Sequence, residues 1–343
     1  MSTVKEIGYE EALSLGDPVF VDVRAPVEYA LDHIPGALNI PVLDDHERAE
    51  VGTMYRHAGQ ESAILEGTRI VGSKLASIVE RITALGDRGV VIYCFRGGMR
   101  SASISALLGS LGIPVFRLAQ GYKGYRRWVR ARLGSLSIGP PVFVLHGLTG
   151  TGKTQVLRRL DSGIDLEDFA GHRSSVFGGL GLVPRSQKLF EGHIIGRVDE
   201  LSGARYVVLE GESRKIGDLH VPPPLLGYIN AAPGILLTAP IERRVRILMD
   251  DYAEGLNREE LKKIVALQER RMGHANVAHL LALLDSGDLP SFTELLLKKY
   301  YDPLYAFSLD RMKFVARIEN LDSAAAAAKL AAIADRILCG RNS

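Results

Sequence analysis

The stretch GVVIYCFRGGMRS, residues 89–101, joins an apolar run to a glycine-rich turn and places Cys94 at the junction. A short apolar run bounded by a turn fits a strand buried on both faces, the form strands take in parallel sheets. Gly97 and Gly98 let the backbone curl so that successive amide N–H groups converge. The following SASISALLGSLG (101–112) fits a helix whose N-terminus adds positive potential at the same spot. A thiol in that field ionises more readily, and the thiolate is the nucleophile. Arg96 and Arg100 can then hold an oxyanion through paired hydrogen bonds. A lone cysteine is more often a small buried hydrophobe. The glycine pair and the two arginines turn the reading towards chemistry, which requires a thiol that solvent can reach.

Working outward, PVFVDV (18–23) and PVFRLA (114–119) read as further strands, and SKLASIVERITALG (73–86) has helical spacing. Strands alternating with helices predict a parallel α/β sheet. The small, glycine- and proline-containing segment RARLGSLSIGPP (130–141) reads as a linker, so the boundary falls near residue 135, between domains 1–134 and 135–343. At 343 residues and 46% hydrophobic, the chain can bury two cores.

The net charge of +2 excludes any argument for nucleic-acid binding from charge alone, leaving local clusters to carry one. Cys94 and Cys339, far apart in the chain, form no disulfide framework and suit a reducing compartment. The N-terminus has no secretory h-region. The alanine-rich stretch 323–338 carries Lys329, Asp335 and Arg336 and reads as an amphipathic helix capped by Asp322 or Ser323, not as a membrane span. The cytoplasm is the expected location.

The second domain opens with VFVLHGLTGTGKTQVLRRL (142–160), in which GLTGTGKT satisfies G-x-x-x-x-G-K-[ST] between a strand and a helix. Gly147, Gly150, Thr151 and Gly152 supply an anion nest of backbone amides. Lys153 brings a point charge to the terminal phosphates, and Thr154 is the candidate Mg²⁺ ligand. YVVLEGES (206–213) and GILLTAP (234–240) read as strands. Glu210 and Glu212 stand where a Walker B carboxylate would sit, or are solvated turn residues. No aspartate is there, so phosphate binding is better founded than ATP hydrolysis. Residues 165–181 crowd Glu167, Asp168, His172, Arg173 and Ser174 into a glycine-rich stretch, either an ordinary polar loop or a substrate loop at the strands' carboxyl ends.

Residues 5–130 resemble a rhodanese domain through VDVRAPVEYALDHIPGALNIP (21–41) followed by the cysteine loop. The resemblance implies that Cys94 carries a sulfane sulfur or selenium. Asp22, Arg24 and Glu28 then brace the turn after the strand, and His33 belongs to the HIPGA turn. Cys94 and Arg100 also fit a phosphatase spacing, but Tyr93 stands where those enzymes carry histidine.

The whole chain resembles the tRNA 2-selenouridine synthases, through YCFRGGMRSAS, GLTGTGKT, LEDFAGHRSSVFG, SQKLFE (186–191), LEGESRKIGDLHVP (209–222) and YYDPLY (300–305). Ser174 departs from the family, where glycine follows the His-Arg pair. The family resemblance implies a transferase that replaces the sulfur of wobble 2-thiouridine in tRNA with selenium from selenophosphate, through an S-geranylated intermediate made from geranyl diphosphate. Its implied partners are that tRNA and an enzyme producing selenophosphate, with no tightly bound cofactor; Mg²⁺ is the candidate metal, through Thr154. Cys94 would either carry selenium or finish the release of phosphate.

For tRNA, GYKGYRRWVRAR (121–132) interleaves Lys123, Arg126, Arg127, Arg130 and Arg132 with Tyr122, Tyr125 and Trp128, a pattern suited to unpaired bases. ERRVR (242–246) and Arg270–Arg271 are secondary candidates. The alternatives are a P-loop kinase or ATP-dependent sulfurtransferase with an accessory rhodanese module, and a non-catalytic scaffold.

Overall fold

In the computed structural model, which describes residues 4–175, 177–252 and 257–340, the chain divides after Gly134 into two units. The first is built on five parallel strands: β1 (Lys5–Ile7), β2 (Pro18–Asp22), β3 (Leu38–Asn39), β4 (Gly89–Tyr93) and β5 (Phe116–Leu118), in the order β1-β5-β4-β2-β3. The run that opened the sequence is therefore the central strand. Val19, Val21, Ile92, Ile104 and Leu108 form its core, and the side chain of Cys94 belongs to that core too.

The second unit repeats the scheme with β6 (Val142–His146), β7 (Gly163–Ile164), β8 (Val207–Glu210), β11 (Gly234–Thr238) and β12 (Phe314–Glu319). These are ordered β12-β11-β6-β8-β7, all parallel. A small antiparallel hairpin, β9 (Lys215–Ile216) with β10 (Leu219–His220), follows β8. The helix Ser323–Gly340 lays Ala326, Leu330 and Ala334 into the core of this sheet, and its start is capped by the Asp322 carboxylate, which accepts from the Ala325 N–H at 2.8 Å. The helix Ile241–Tyr252 and the helices between Arg258 and Asp310 share a core of Leu248, Val265, Leu280, Leu284 and Phe292.

Three expectations change. The helix read from residue 73 begins at Gln60, and a further helix, Asp45–His57, precedes it. The stretch read as a linker from residue 130 is helical as far as Gly134, because Val129 and its neighbours bury one face of the helix Gly121–Gly134. What remains, 135–141, is not loose: Leu136 and Ile138 are buried, and the Ile138 N–H donates to Tyr228 Oη at 3.0 Å.

Candidate functional site

Both glycine-rich loops leave the carboxyl end of a central strand, the position where an open parallel sheet forms a crevice. The first is closed. Cys94 is 3% exposed, and its Sγ lies 3.2 Å from Ser101 Oγ and 3.8 Å from the Gly98 carbonyl, to which it donates. The turn before the helix Gly121–Gly134 pins the loop's backbone: the N–H groups of Tyr122 and Lys123 donate to the carbonyls of Cys94 and Phe95, both at 2.9 Å. A Cβ on Gly121, at φ 54°, would stand 2.1 Å from the Cys94 carbonyl oxygen, so only glycine permits this approach. The expectation of an open thiol is thus corrected: the side chain is buried with the core of its sheet, and reaching it requires the loop to move.

The arginines of this loop differ. Arg96 is exposed, with its guanidinium 5.8 Å from the Phe95 ring. Arg100 is half-buried and held by Glu28 through two bonds of 2.6 and 3.2 Å. Glu28 does brace its own turn, accepting from the Ala25 N–H at 3.3 Å, and also fixes Arg100 across the site. Burial works to raise its carboxyl, but Arg100 outweighs this and holds it below the usual range. Asp22 and Arg24 do brace the strand end. Arg24 Nε bonds both Asp22 oxygens at 3.0 Å, Nη2 reaches Oδ2 at 2.6 Å and also the Asp32 carbonyl, and the guanidinium lies 4.5 Å from the Tyr122 ring centre. His33 stacks on Tyr29 within its turn.

The phosphate loop is open. Gly147 and residues 149–154 line a cavity of about 440 Å³ together with Glu167, Arg173, Ser174 and Glu212. Gly152, at φ 85°, leaves room for Asn320, whose Nδ2 would lie 2.6 Å from a Cβ and which donates to the Thr151 carbonyl at 2.7 Å. From another side Arg244, 5% exposed, donates to the Thr149 carbonyl and is itself clamped by Asp302 at 2.6 and 3.0 Å. A buried guanidinium with a bidentate carboxylate is a rigid support.

Three carboxylates, Glu167, Glu210 and Glu212, bring oxygens within 4.8 Å of one another beside Lys153. Glu210 Oε2 accepts from the N–H groups of Leu166 and Glu167 at 3.0 and 3.1 Å, while Oε1 is buried with no partner among the described residues. Glu167 accepts from the Ser174 N–H at 2.6 Å, and Ser174 Oγ donates to Glu212.

Burial pushes Glu210 well above the carboxylate range, and burial with the Glu167 charge lifts Glu212 to about 7. Burial acts to lower Lys153, but Glu212, Glu167 and Glu210 together hold it above its ordinary value. Neither glutamate is a solvated turn residue. If all three carboxylates ionise against one ammonium, two negative charges are left over, a poor place for a phosphate. A divalent cation fits that donor set, and the Glu210 oxygen without a protein partner would be one of its ligands. Thr154, the residue expected to hold it, lines the same cavity.

At the other end the cavity wall is apolar, formed by Leu226, Ile229, Leu309 and Met312. Sequence reading missed this wall, whose residues come from two helices far apart in the chain. It also missed the work of YYDPLY. After a π-helical turn, Leu297–Tyr301, Tyr301 Oη donates to Ser175 Oγ at 3.0 Å and Tyr305 Oη to the Ser174 carbonyl at 3.2 Å, while Asp302 holds Arg244. His146, unnoticed at the end of its strand, also lines the cavity; burial and the Lys153 charge lower it to about 4, so it stays neutral. His172 sits on the far side of the substrate loop, and burial lowers it as well.

The candidate RNA-binding residues separate by helix face. Lys123, Arg127 and Arg130 are exposed, but Arg126 is only 7% exposed. Tyr122 and Tyr125 are core residues, and Trp128 packs on Tyr9 and donates to Glu10 at 3.0 Å. The aromatics bind the protein together and offer no platform for bases. In 242–246, Arg244 serves the phosphate loop and Arg243 bonds Asn320 and Ser323.

A cysteine loop on one parallel sheet and a phosphate loop on another define a rhodanese-like unit joined to a P-loop unit. A rhodanese-like domain model matches residues 9–127, and a model of the tRNA 2-selenouridine synthase AAA domain matches residues 140–332. Curated tRNA 2-selenouridine synthases from Cupriavidus necator and Chromohalobacter salexigens are each 35% identical to the chain, over 87% and 89% of it and 90% and 91% of their own lengths. One from Pseudomonas fluorescens is 34% identical over 89% of this chain and 92% of its own. The chain belongs to the tRNA 2-selenouridine synthase family. No helix among the described residues is long and apolar enough to cross a membrane.

Proposed function

We propose that this chain is a tRNA-modifying transferase that exchanges the sulfur of wobble 2-thiouridine for selenium, with geranyl diphosphate and selenophosphate as co-substrates. The observation that supports this reading best is the composition of one cavity: a phosphate cradle at one end and the wall of Leu226, Ile229, Leu309 and Met312 at the other. A diphosphate ester of a hydrocarbon has those two halves. A small-molecule kinase would leave the apolar wall unexplained.

In the first step the thiocarbonyl sulfur attacks C1 of the geranyl group. The C1–O bond breaks and pyrophosphate leaves with its electron pair. Lys153 and the loop amides stabilise the charge that grows on the leaving oxygen. A divalent cation held by Glu167, Glu210, Glu212 and Thr154 supplies charge neutralisation when bound. In the second step the selenium of selenophosphate attacks C2, and the sulfur departs as geranyl thiol. Hydrolysis of the P–Se bond then releases phosphate. Cys94 serves this second step once its loop opens, and Arg100, set by Glu28, faces the anion.

The exposed cations Lys123, Arg127 and Arg130 offer one helix face to RNA phosphates. The test incubates the protein with thiolated tRNA, geranyl diphosphate and selenophosphate, then digests the RNA for mass spectrometry. Uridine masses corresponding to S-geranylation and then selenium are expected. No change under any combination refutes the reading.

A further inference from the structure

Next to the phosphate-loop cavity lies a second, wider basin of about 850 Å³ that no function yet accounts for. The two hollows share Ser174, Ser175, Ser213 and Tyr305, so the substrate loop and one tyrosine form their common wall. Their charges are balanced differently. The first is lined by Glu167 and Glu212 against Lys153, Arg173 and Arg214, whereas the second is lined by Arg185, Lys215 and Arg271 against a single acid, Asp218. Lys215 and Arg271 are exposed. The Arg271 guanidinium is steadied 3.4 Å from Tyr300 Oη, and Leu304, 46% exposed, offers an apolar surface in the same basin.

The second hollow, wider and with the larger excess of cations over acids, is the better fit for a polyanion. A nucleobase, having a flat apolar face, needs an apolar surface near those cations. The shared wall is also thin enough to be the meeting place of two reactants, because Tyr305 and Ser174 face both spaces.

From this juxtaposition we infer that the RNA strand docks in the basin bounded by Lys215, Arg271 and Leu304, and presents its thiolated base at the Ser174–Tyr305 wall to a diphosphate ester held on the other side. The inference rests on the function proposed above and adds the RNA's place of entry. It also divides labour within one unit: the narrower hollow takes the small anion with its cation, and the wider one takes the nucleic acid. Lys215 stands on the hairpin β9–β10, so the hairpin acts as a phosphate-binding finger beside the substrate loop.

The test measures binding of a synthetic anticodon stem-loop carrying 2-thiouridine across a salt series, for wild type and for Lys215→Ala with Arg271→Ala. Both side chains are on the surface, so folding is not at stake, and geranyl diphosphate affinity measured alongside verifies this. The expected result is a loss of RNA affinity of about tenfold or more. The slope of log K against log salt should fall by about two, one for each cation removed, with geranyl diphosphate binding unchanged. The charge-preserving pair Lys215→Arg with Arg271→Lys should restore the slope. Wild-type affinity and slope in the alanine variant, or no recovery in the charge-preserving pair, overturns the inference and leaves the proposed function standing. A wild-type protein that binds neither the RNA nor geranyl diphosphate removes both.

Discussion

The cysteine loop and the phosphate loop have the same local grammar and opposite outcomes. Each follows a buried central strand, turns on glycines and leads into a helix. Yet Cys94 is packed into the core of its sheet, while Lys153 looks into a large cavity. The difference is made by what arrives from elsewhere in the chain. The turn at Gly121 packs on the Cys94 carbonyl and pins the first loop's backbone. Around the second, Arg244 and Asn320 grip the backbone from behind and leave the front empty. A loop's reactivity is therefore decided by its neighbours as much as by its own residues.

The strongest way to break this comparison is to remove each loop's chemical group. Cys94→Ser should abolish selenium incorporation and leave geranylation intact, as read by mass spectrometry of digested tRNA. Loss of both activities would mean that the loops do not divide the reaction. Lys153→Ala should cut geranylation about 10²–10³-fold, the usual cost of losing a charge that stabilises a leaving group.

Next in size is a substitution that tests this pinning. Gly121→Ala forces a Cβ against the Cys94 carbonyl and should destabilise the first unit by roughly 1–3 kcal/mol while speeding alkylation of Cys94. Trp128 is the chain's one tryptophan and sits in that unit, so its fluorescence during urea unfolding reports the effect. Unchanged alkylation would show that the turn does not hold the loop over its buried thiol.

A smaller effect tests the apolar wall. Ile229→Asn with Leu309→Asn should raise KM for geranyl diphosphate about tenfold or more and leave inorganic pyrophosphate affinity nearly unchanged, since an uncharged polar side chain there opposes only the hydrocarbon. Equal losses for both ligands would place the chain elsewhere.

The least effect is one of shape. Glu212 titrates at about 7 in the folded protein against an ordinary 4.5, so the native state binds more protons than the unfolded one between those values. Stability should therefore fall as pH rises from about 4.5 to 7. Glu212→Gln should flatten that decline in chemical unfolding without ligand, and a divalent cation should flatten it in the wild type.

Both loops were legible because their residues are neighbours in the chain: GLTGTGKT and YCFRGGMRS each carry strand, turn and helix in one stretch. The parallel sheets followed from the same alternation. What could not be read were distances across the fold. Nothing near Cys94 announces that the turn at Gly121 will pin its loop, and nothing in ERRVR separates Arg244, which is buried, from Arg246, which is exposed. In 121–132 the signal was present and misread. Lys123, Arg127 and Arg130 recur at helical spacing on one face, while Tyr122, Tyr125, Arg126 and Val129 recur on the other, so charge and aromatic rings were never interleaved on a shared surface. The YYDPLY motif was noticed as a family mark with no task. Its task became visible only when Asp302 met Arg244 and Tyr305 met Ser174.

That six-residue segment has a mechanical consequence. Because Asp302 steadies the support of one loop and Tyr301 and Tyr305 hold the other, a single turn of chain fastens the phosphate loop and the substrate loop to the same helical region.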